Sequence, residues 1–115
     1  MANTFKTITK AGVTTVDVIY TVAGSTTTVV LGLMLGNTTG SAITATVTLG
    51  TDTANRAGAN NESNQDVELI TSTSIPANST LELLSGNKVV METTDTLSVT
   101  GSGATDVALS VMEIT

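Results

Sequence analysis

The sequence predicts an all-β protein: a single antiparallel β-sandwich, jelly-roll or immunoglobulin-like, with eight or nine short strands and negligible helix. Three observations lead to this prediction. Short runs rich in Val, Thr, Ile and Leu alternate in polarity and are separated by Gly, Asn, Asp and Ser at intervals of roughly eight to twelve residues. No stretch keeps the 3.6-residue period of a helix for more than about ten residues. With 115 residues, the chain has the usual size of one domain.

The first two strands are predicted near the N-terminus. Residues 5–9 alternate weakly between polar and apolar side chains, and Gly12 ends this run. Residues 16–22 alternate clearly. Four side chains of this second run are expected to share one face of a sheet: Val16, Val18, Tyr20 and Val22.

The third predicted strand is the most apolar part of the chain. It follows a turn at residues 23–25 and covers residues 26–35, where Gly32 indicates a bulge or a close approach of another backbone. Its aliphatic part, residues 29–35, fits the core of a single domain, and it also fits a surface that identical copies bury between them. Residues 37–41, rich in Asn, Thr and Gly, predict a loop that closes a hairpin.

The fourth predicted strand has the clearest alternation. Its apolar side chains point to one face and three threonines point to the other, which is typical of an antiparallel strand with one solvated face. The apolar set is Ile43, Ala45, Val47 and Leu49. Residues 50–65 then contain almost no apolar side chain and predict one long irregular loop. Such loops are usually functional or disordered, so both a contact arm and a segment without a role fit this loop.

Five runs in the C-terminal half predict the remaining strands. They cover residues 67–71, 80–84, 89–92, 96–100 and 107–114. Pro76 stands between two of these strands, where its missing N–H costs no ladder hydrogen bond. Residues 85–88 predict a hairpin turn, residues 93–95 predict a second turn, and residues 101–106 predict a flexible loop.

The composition excludes most routes to catalysis. The chain has no His, Cys or Trp, and it has one Tyr, one Phe and four basic residues. A Ser or Thr nucleophile therefore lacks its usual general base, and no disulfide or thiolate metal site can form. The acidic residues around the long loop match no EF-hand spacing, and two aromatic residues are too few for a sugar-stacking platform. We predict a non-enzymatic protein without a cofactor or a metal ion.

The charge distribution indicates which kinds of binding partner to expect. The formal net charge is −6; the first thirty residues carry +1 and the rest carry −7. An acidic surface repels phosphate backbones, so no direct nucleic-acid contact is expected. The longest nearly apolar run, residues 29–35, is far shorter than the roughly 18 residues of a membrane span, and the N-terminus shows no secretion signal. Two interpretations of the acidic surface stay open, a basic partner or a solvated face.

Several motifs follow one another in the C-terminal half. They are an Ile-Pro-Ala-Asn-Ser turn, an apolar strand, a Gly-containing hairpin, a Lys-Val-Val-Met-Glu strand, a Thr-Asp turn and a terminal Leu-Ser-Val-Met-Glu strand. Residues 74–92, 95–100 and 107–114 follow this order, and residues 28–38 match an upstream strand. In these features the chain resembles a family of small tailed-bacteriophage, cyanophage-like, virion structural proteins. Asn78 and Thr94 stand where that family has Gly.

The resemblance, which covers about two thirds of the chain, implies a component of a virion that is made in the host cytoplasm. A capsid decoration or cement protein that bridges subunits of the major capsid protein is the first hypothesis. A tail, neck or fibre-associated protein, in contact with other virion proteins, is the second, and a glycan-binding adhesin module is the third. We also expect a homo-oligomer, with a trimer among the options, because a core with few aromatic side chains gains from apolar surface buried between copies.

The expected organisation is an N-terminal arm with the first strand over residues 1–12, followed by the sandwich over residues 13–115 with its long loop at residues 50–65. Partner contacts are predicted on the arm and the loop, because both carry polar side chains that the core does not need. The predicted contact residues are Lys6, Lys10, Asp52, Asn55, Arg56, Asn60, Asn61 and Glu62.

Overall fold

The computed structural model describes residues 2–52, 64–84 and 86–115. These residues form nine strands and no helix, which confirms the predicted fold class. The strands are β1 (Asn3–Val13), β2 (Asp17–Thr21), β3 (Thr27–Asn37), β4 (Ile43–Thr51), β5 (Gln65–Ile75), β6 (Ser79–Leu83), β7 (Val89–Met91), β8 (Thr96–Gly101) and β9 (Thr105–Ile114).

The strands form two antiparallel sheets that pack face to face. Sheet A has the order β1-β9-β3-β6, with β7 also paired to β3, and sheet B has the order β2-β8-β4-β5. The chain crosses between the sheets at almost every connection, and among the described strands β4 and β5 are the only sequence neighbours that pair. This strand order is that of a jelly roll, because an immunoglobulin-like sandwich pairs several sequence neighbours as hairpins.

The core between the sheets is aliphatic. Inward-facing residues of β3, β4, β8 and β9 supply most of its fully buried side chains, including Leu33, Leu35, Val47, Val99 and Leu109. The alternation predicted for β4 is confirmed, since its apolar set is buried or packs on the core while its threonines face outward.

β2 does not present one apolar face, so that prediction is wrong. Val16 and Val18 are exposed, whereas Val22 is buried and Tyr20 packs against the core. The register of β2 against β8 shifts between Val18 and Tyr20. One extra residue at this bulge turns the following side chains to the opposite face, which the alternation of polarity does not reveal.

Neither predicted hairpin forms. Residues 37–41 lead from β3 in sheet A to β4 in sheet B, and the strands on either side of residues 85–88, β6 and β7, both pair with β3. Turn-forming residues thus mark where a strand ends but not which strand it pairs with. The bulge expected at Gly32 is confirmed, because the register of β3 against β9 shifts between Val30 and Gly32.

Asn37 is buried, and its side chain both forms the turn after β3 and holds a second turn against it. Its Nδ2 donates hydrogen bonds to the carbonyl oxygens of Ser41 (2.8 Å), Ile75 (3.0 Å) and Pro76 (3.1 Å), and its Oδ1 accepts one from the N–H of Thr39 (2.9 Å). One amide therefore joins the β3–β4 crossover to the β5–β6 turn and satisfies backbone groups that the core would otherwise leave unpaired.

Five described non-Gly residues have the backbone conformation that favours Gly, and Asn78 and Thr94 are two of them. Asn78 has φ of 56° and Thr94 has φ of 68°, and these are the positions where the chain departs from the Gly residues of the virion-protein pattern. Asn tolerates this left-handed region, whereas a β-branched Thr is strained there. The Thr94 hydroxyl donates a hydrogen bond to Asp52 Oδ2 (2.6 Å), which offsets part of this strain.

Candidate interaction surfaces

The structure separates the predicted contact residues. Lys6 and Lys10 lie on β1, at one edge of sheet A, and Asp52 follows β4 in sheet B. The remaining five, which are Asn55, Arg56, Asn60, Asn61 and Glu62, lie outside the described residues. The ends of the predicted loop belong to strands, because Gly50 pairs with Asp66 and Thr51 with Gln65. Gly50, Thr51 and Gln65 of the predicted loop therefore belong to β4 and β5.

The two lysines make ion pairs within the chain. Lys10 Nζ lies 3.8 Å from Asp17 Oδ2, and Lys6 Nζ lies 2.9 Å from Glu113 Oε1. Tyr20 donates a hydrogen bond from its hydroxyl to Glu113 Oε2 (2.5 Å), and that hydroxyl also hydrogen-bonds Thr28 Oγ1 (2.7 Å). One polar cluster thus connects β1, β2, β3 and β9 across both sheets.

This cluster shifts two pKa values in opposite directions. Hydrogen bonds from Lys6 and Tyr20 lower the pKa of Glu113, because both stabilise the carboxylate. Burial raises the pKa of Tyr20 from 10.0 to about 12, and the hydrogen bond to Glu113 adds to the rise because a phenolate could not donate it. The cluster is therefore most stable with an ionised Glu113 and a neutral Tyr20.

The buried carboxylate of Asp95 holds the backbone of Asp52, the residue that follows β4. Asp95 is fully buried; its Oδ1 accepts a hydrogen bond from the N–H of Asp52 (2.9 Å) and its Oδ2 accepts one from the N–H of Glu92 (2.9 Å). The end of β4 is thereby fixed against the turn between β7 and β8. The sequence predicted only a turn here, although an Asp beside a turn is a known acceptor for backbone N–H groups.

One edge of β1 is open. Ala2 and Thr115 exchange two backbone hydrogen bonds (3.1 and 3.0 Å), which makes them a hydrogen-bonded pair of the β1–β9 ladder. Because such pairs alternate along an antiparallel ladder, the N–H and C=O groups of every second residue from Asn3 point away from β9. These residues are Asn3, Phe5, Thr7 and Thr9, and no described strand pairs with them on that side.

The outer face of sheet B carries mostly hydroxyl groups, with the exposed Val16 and Val18 beside them. Its central strands β4 and β8 present the side chains of Thr46, Thr48, Thr96, Ser98 and Thr100. They line a shallow depression of about 330 Å³, and two carboxylates from β5, Asp66 and Glu68, stand at its edge. This face is ordinary for the solvated side of an antiparallel sheet.

The outer face of sheet A carries one row of apolar side chains beside polar ones. Phe5, Met112, Val29 and Val90 lie opposite one another on β1, β9, β3 and β7, and we call them the apolar row. Phe5 is 70% exposed and Val90 is 55% exposed. Past the Gly32 bulge, a depression of about 200 Å³ is lined by Leu31, Met34 and Ala108 and also by the polar side chains of Glu82 and Ser110.

Two kinds of feature are not found in the described part of the chain. Residues 2–52, 64–84 and 86–115 contain no group of three His, Cys, Asp or Glu side chains placed to hold a metal ion. The same residues form no helix with the length and apolarity needed to cross a membrane.

No protein-family model and no curated protein matches the sequence. A solved chain with similar structure comes from work described as "Bacillus endospore appendages form a novel family of disulfide-linked pili". The similarity has a TM-score of 0.46 at 14% sequence identity, and it covers 99% of this chain and 87% of the other. A similarity this weak identifies neither a family nor a function.

Proposed function

We propose that this chain is a non-enzymatic structural protein of a bacteriophage particle, and that it acts as a capsid decoration or cement protein. In this role many copies contact neighbouring subunits of the shell and stabilise it. The open edge of β1 is the observation that carries the proposal. The resemblance of the C-terminal half to small virion proteins supports the same role.

An open strand edge suits repeated contacts between subunits. The N–H and C=O groups of Asn3, Phe5, Thr7 and Thr9 can pair with an extended segment of a neighbouring subunit, which gives affinity through main-chain hydrogen bonds. Sheet edges are usually blunted by Pro, by Lys or by bulges. Residues 3–10 contain no Pro and keep a regular register with β9 up to the shift after Lys10, and both lysines of β1 are ion-paired within the chain. Many weak copies of such a contact produce strong binding to a shell through avidity.

The edge is held in place before any partner binds. The ladder with β9 and the ion pair between Lys6 and Glu113 fix β1 on the rest of the protein. A preformed edge loses less conformational entropy on binding than a loose arm does. Lys6 therefore serves the proposed contact by positioning β1.

A single substitution tests the edge. Thr7→Pro removes an N–H that points away from β9, so it blocks strand addition while the β1–β9 ladder stays intact. Thr7→Ala keeps this N–H and is the matched control. Each purified variant is added to particles that lack the chain, and the bound protein is measured after the particles are sedimented.

We expect the wild-type protein and Thr7→Ala to bind in fixed proportion to the shell subunit and Thr7→Pro to bind at least about tenfold more weakly, because several main-chain hydrogen bonds depend on this edge. Circular dichroism confirms that each variant is folded. Equal binding of Thr7→Pro and Thr7→Ala would contradict the role of the β1 edge, and no binding of the wild-type protein would contradict the particle role itself.

A further inference from the structure

We infer that two copies of this chain exchange their first strands, so that β1 of one copy pairs with β9 of the other. The exchanged segment is residues 2–11, which we call the β1 arm. The inference concerns the isolated protein and goes beyond the particle role. In both forms a β1 arm lies on each β9, so the outer edge that serves the particle contact stays the same.

The β1 arm is attached to the rest of its own chain along one side. Among the described strands, β1 pairs with β9 alone. Ile8 is half-buried, and every other residue from 3 to 12 is exposed. The β1 arm therefore adds little to the core. Its detachment is a local opening of a terminus, which needs less free energy than unfolding of the whole domain.

Gly12 provides a hinge at the end of the β1 arm. Its φ is 69°, and the register of β1 against β9 shifts between Lys10 and Val13. Nothing lies within 4 Å of the position that a Cβ on Gly12 would take, so this part of the backbone has room to turn. Val13, by contrast, is buried in the core. The chain can therefore turn at Gly12 while Val13 and β2 stay in place.

The contacts that hold the β1 arm identify a second copy as its partner. They are the ladder between residues 3–10 and 107–114, the ion pair of Lys6 with Glu113 (2.9 Å) and the longer one of Lys10 with Asp17 (3.8 Å). A second copy offers the same β9, with Glu113 and Asp17 in the same places. Exchange thus rebuilds each of these contacts between two copies and needs no new surface.

The balance between the two forms depends on protein concentration. The ladder and the ion pairs are the same in both, so they do not favour either form. What opposes exchange is the proximity of a chain's own arm, which acts at an effective concentration on the order of 1 mM. Exchanged copies are therefore a minority in dilute solution, and a covalent trap is needed to measure them.

An engineered disulfide provides this trap, because the chain itself has no Cys. Thr7 lies opposite Ser110, and the N–H and C=O of Thr7 point away from β9. The two residues therefore form a non-hydrogen-bonded pair with Cα atoms about 4.5 Å apart, a separation that suits a disulfide. One batch of protein carries Thr7→Cys and a second batch carries Ser110→Cys. A disulfide at this pair joins the two batches only where β1 of one copy lies on β9 of the other.

The batches are mixed at about 100 µM, below the effective concentration of a chain's own arm, in a glutathione redox buffer. Intact mass spectrometry distinguishes the heterodimer from either homodimer. A mixture of Thr7→Cys with Thr48→Cys is the matched control, since Thr48 is half-buried like Ser110 but lies on the outer face of sheet B. The double variant Thr7→Cys/Ser110→Cys, oxidised at low concentration, shows that the pair closes within one chain.

A substitution at the hinge tests the mechanism of exchange. Gly12→Ala strains the unexchanged form, because a φ of 69° disfavours a side chain although the space around it is open. Turning the hinge releases this strain, so Gly12→Ala in both batches should raise the yield of heterodimer at least about fivefold. Gly24 is equally open and has no positive φ, so Gly24→Ala should leave the yield unchanged.

We expect the heterodimer of Thr7→Cys with Ser110→Cys in at least about tenfold excess over the control mixture, because only the aligned pair holds its sulfur atoms within bonding distance. Equal yields in the two mixtures would overturn the inference, as would a yield with Gly12→Ala no higher than with Gly24→Ala. A chain that binds particles without exchanging its arms would overturn this inference alone. Exchange in a chain that does not bind particles would overturn only the proposed function.

Discussion

The carboxylate of Asp95 makes the strongest single prediction about stability. Asp95→Ala removes the acceptor for the backbone N–H groups of Asp52 and Glu92, both at 2.9 Å in a fully buried position. A hydrogen bond to a charged acceptor contributes about 1.5–3 kcal/mol, and partial access of water after the mutation recovers some of it. We expect a loss of about 2–4 kcal/mol in the free energy of unfolding.

An exposed carboxylate provides the control for this experiment. Asp106 Oδ1 also accepts a backbone hydrogen bond, from the N–H of Gly12 (3.0 Å), but it lies at the surface. Asp106→Ala should therefore cost less than about 1 kcal/mol. Urea unfolding measures both variants, with an unchanged m-value as evidence that only stability has changed. A loss for Asp95→Ala no larger than that for Asp106→Ala would refute the assigned role of the buried carboxylate.

Three further predictions test the crossover at the end of β8 and the polar cluster. A Cβ on Gly101 would lie 2.7 Å from two backbone carbonyl oxygens, whereas nothing lies within 4 Å of one on Gly40. Gly101→Ala should thus lower the urea midpoint by the equivalent of about 2 kcal/mol or more, and Gly40→Ala should leave it within about 0.5 kcal/mol of wild type. The pKa of Tyr20 is raised from 10.0 to about 12, so the stability that this shift contributes is complete below pH 10 and is lost as the pH rises towards 12. Urea unfolding measured at increasing pH should show this loss in the wild-type protein and not in Tyr20→Phe. The pKa of Glu113 is lowered from 4.5, so its contribution is present above pH 4.5 and is lost in acid, and Glu113→Gln should lack this acid-dependent part.

The sequence predicts the strands well because their signal is local. β4 illustrates this: a period of two in polarity and a solvated row of threonines determine both its type and its buried face. β2 marks the limit of this reasoning. Its bulge between Val18 and Tyr20 depends on pairing with β8, which lies far away in sequence.

The pairing of strands and the apolar row could not be predicted in the same way. Turn residues predict the ends of β3, β6 and β7, but the choice of partner depends on how two sheets close around one core. The apolar run of β3 has the same composition whether its outward residues, such as Val29 and Met34, meet solvent or a partner. Only the register with β9 shows that Val29 joins Phe5 and Met112 in one row, while Met34 lies two rows away.

The number of copies of this chain in purified particles tests the central claim most directly. Quantitative mass spectrometry of the virion measures this number relative to the major capsid protein. We expect hundreds of copies in fixed proportion to the shell subunit. A few to a few dozen copies would move the protein to the tail or neck, and its absence from the particle would contradict the proposed function.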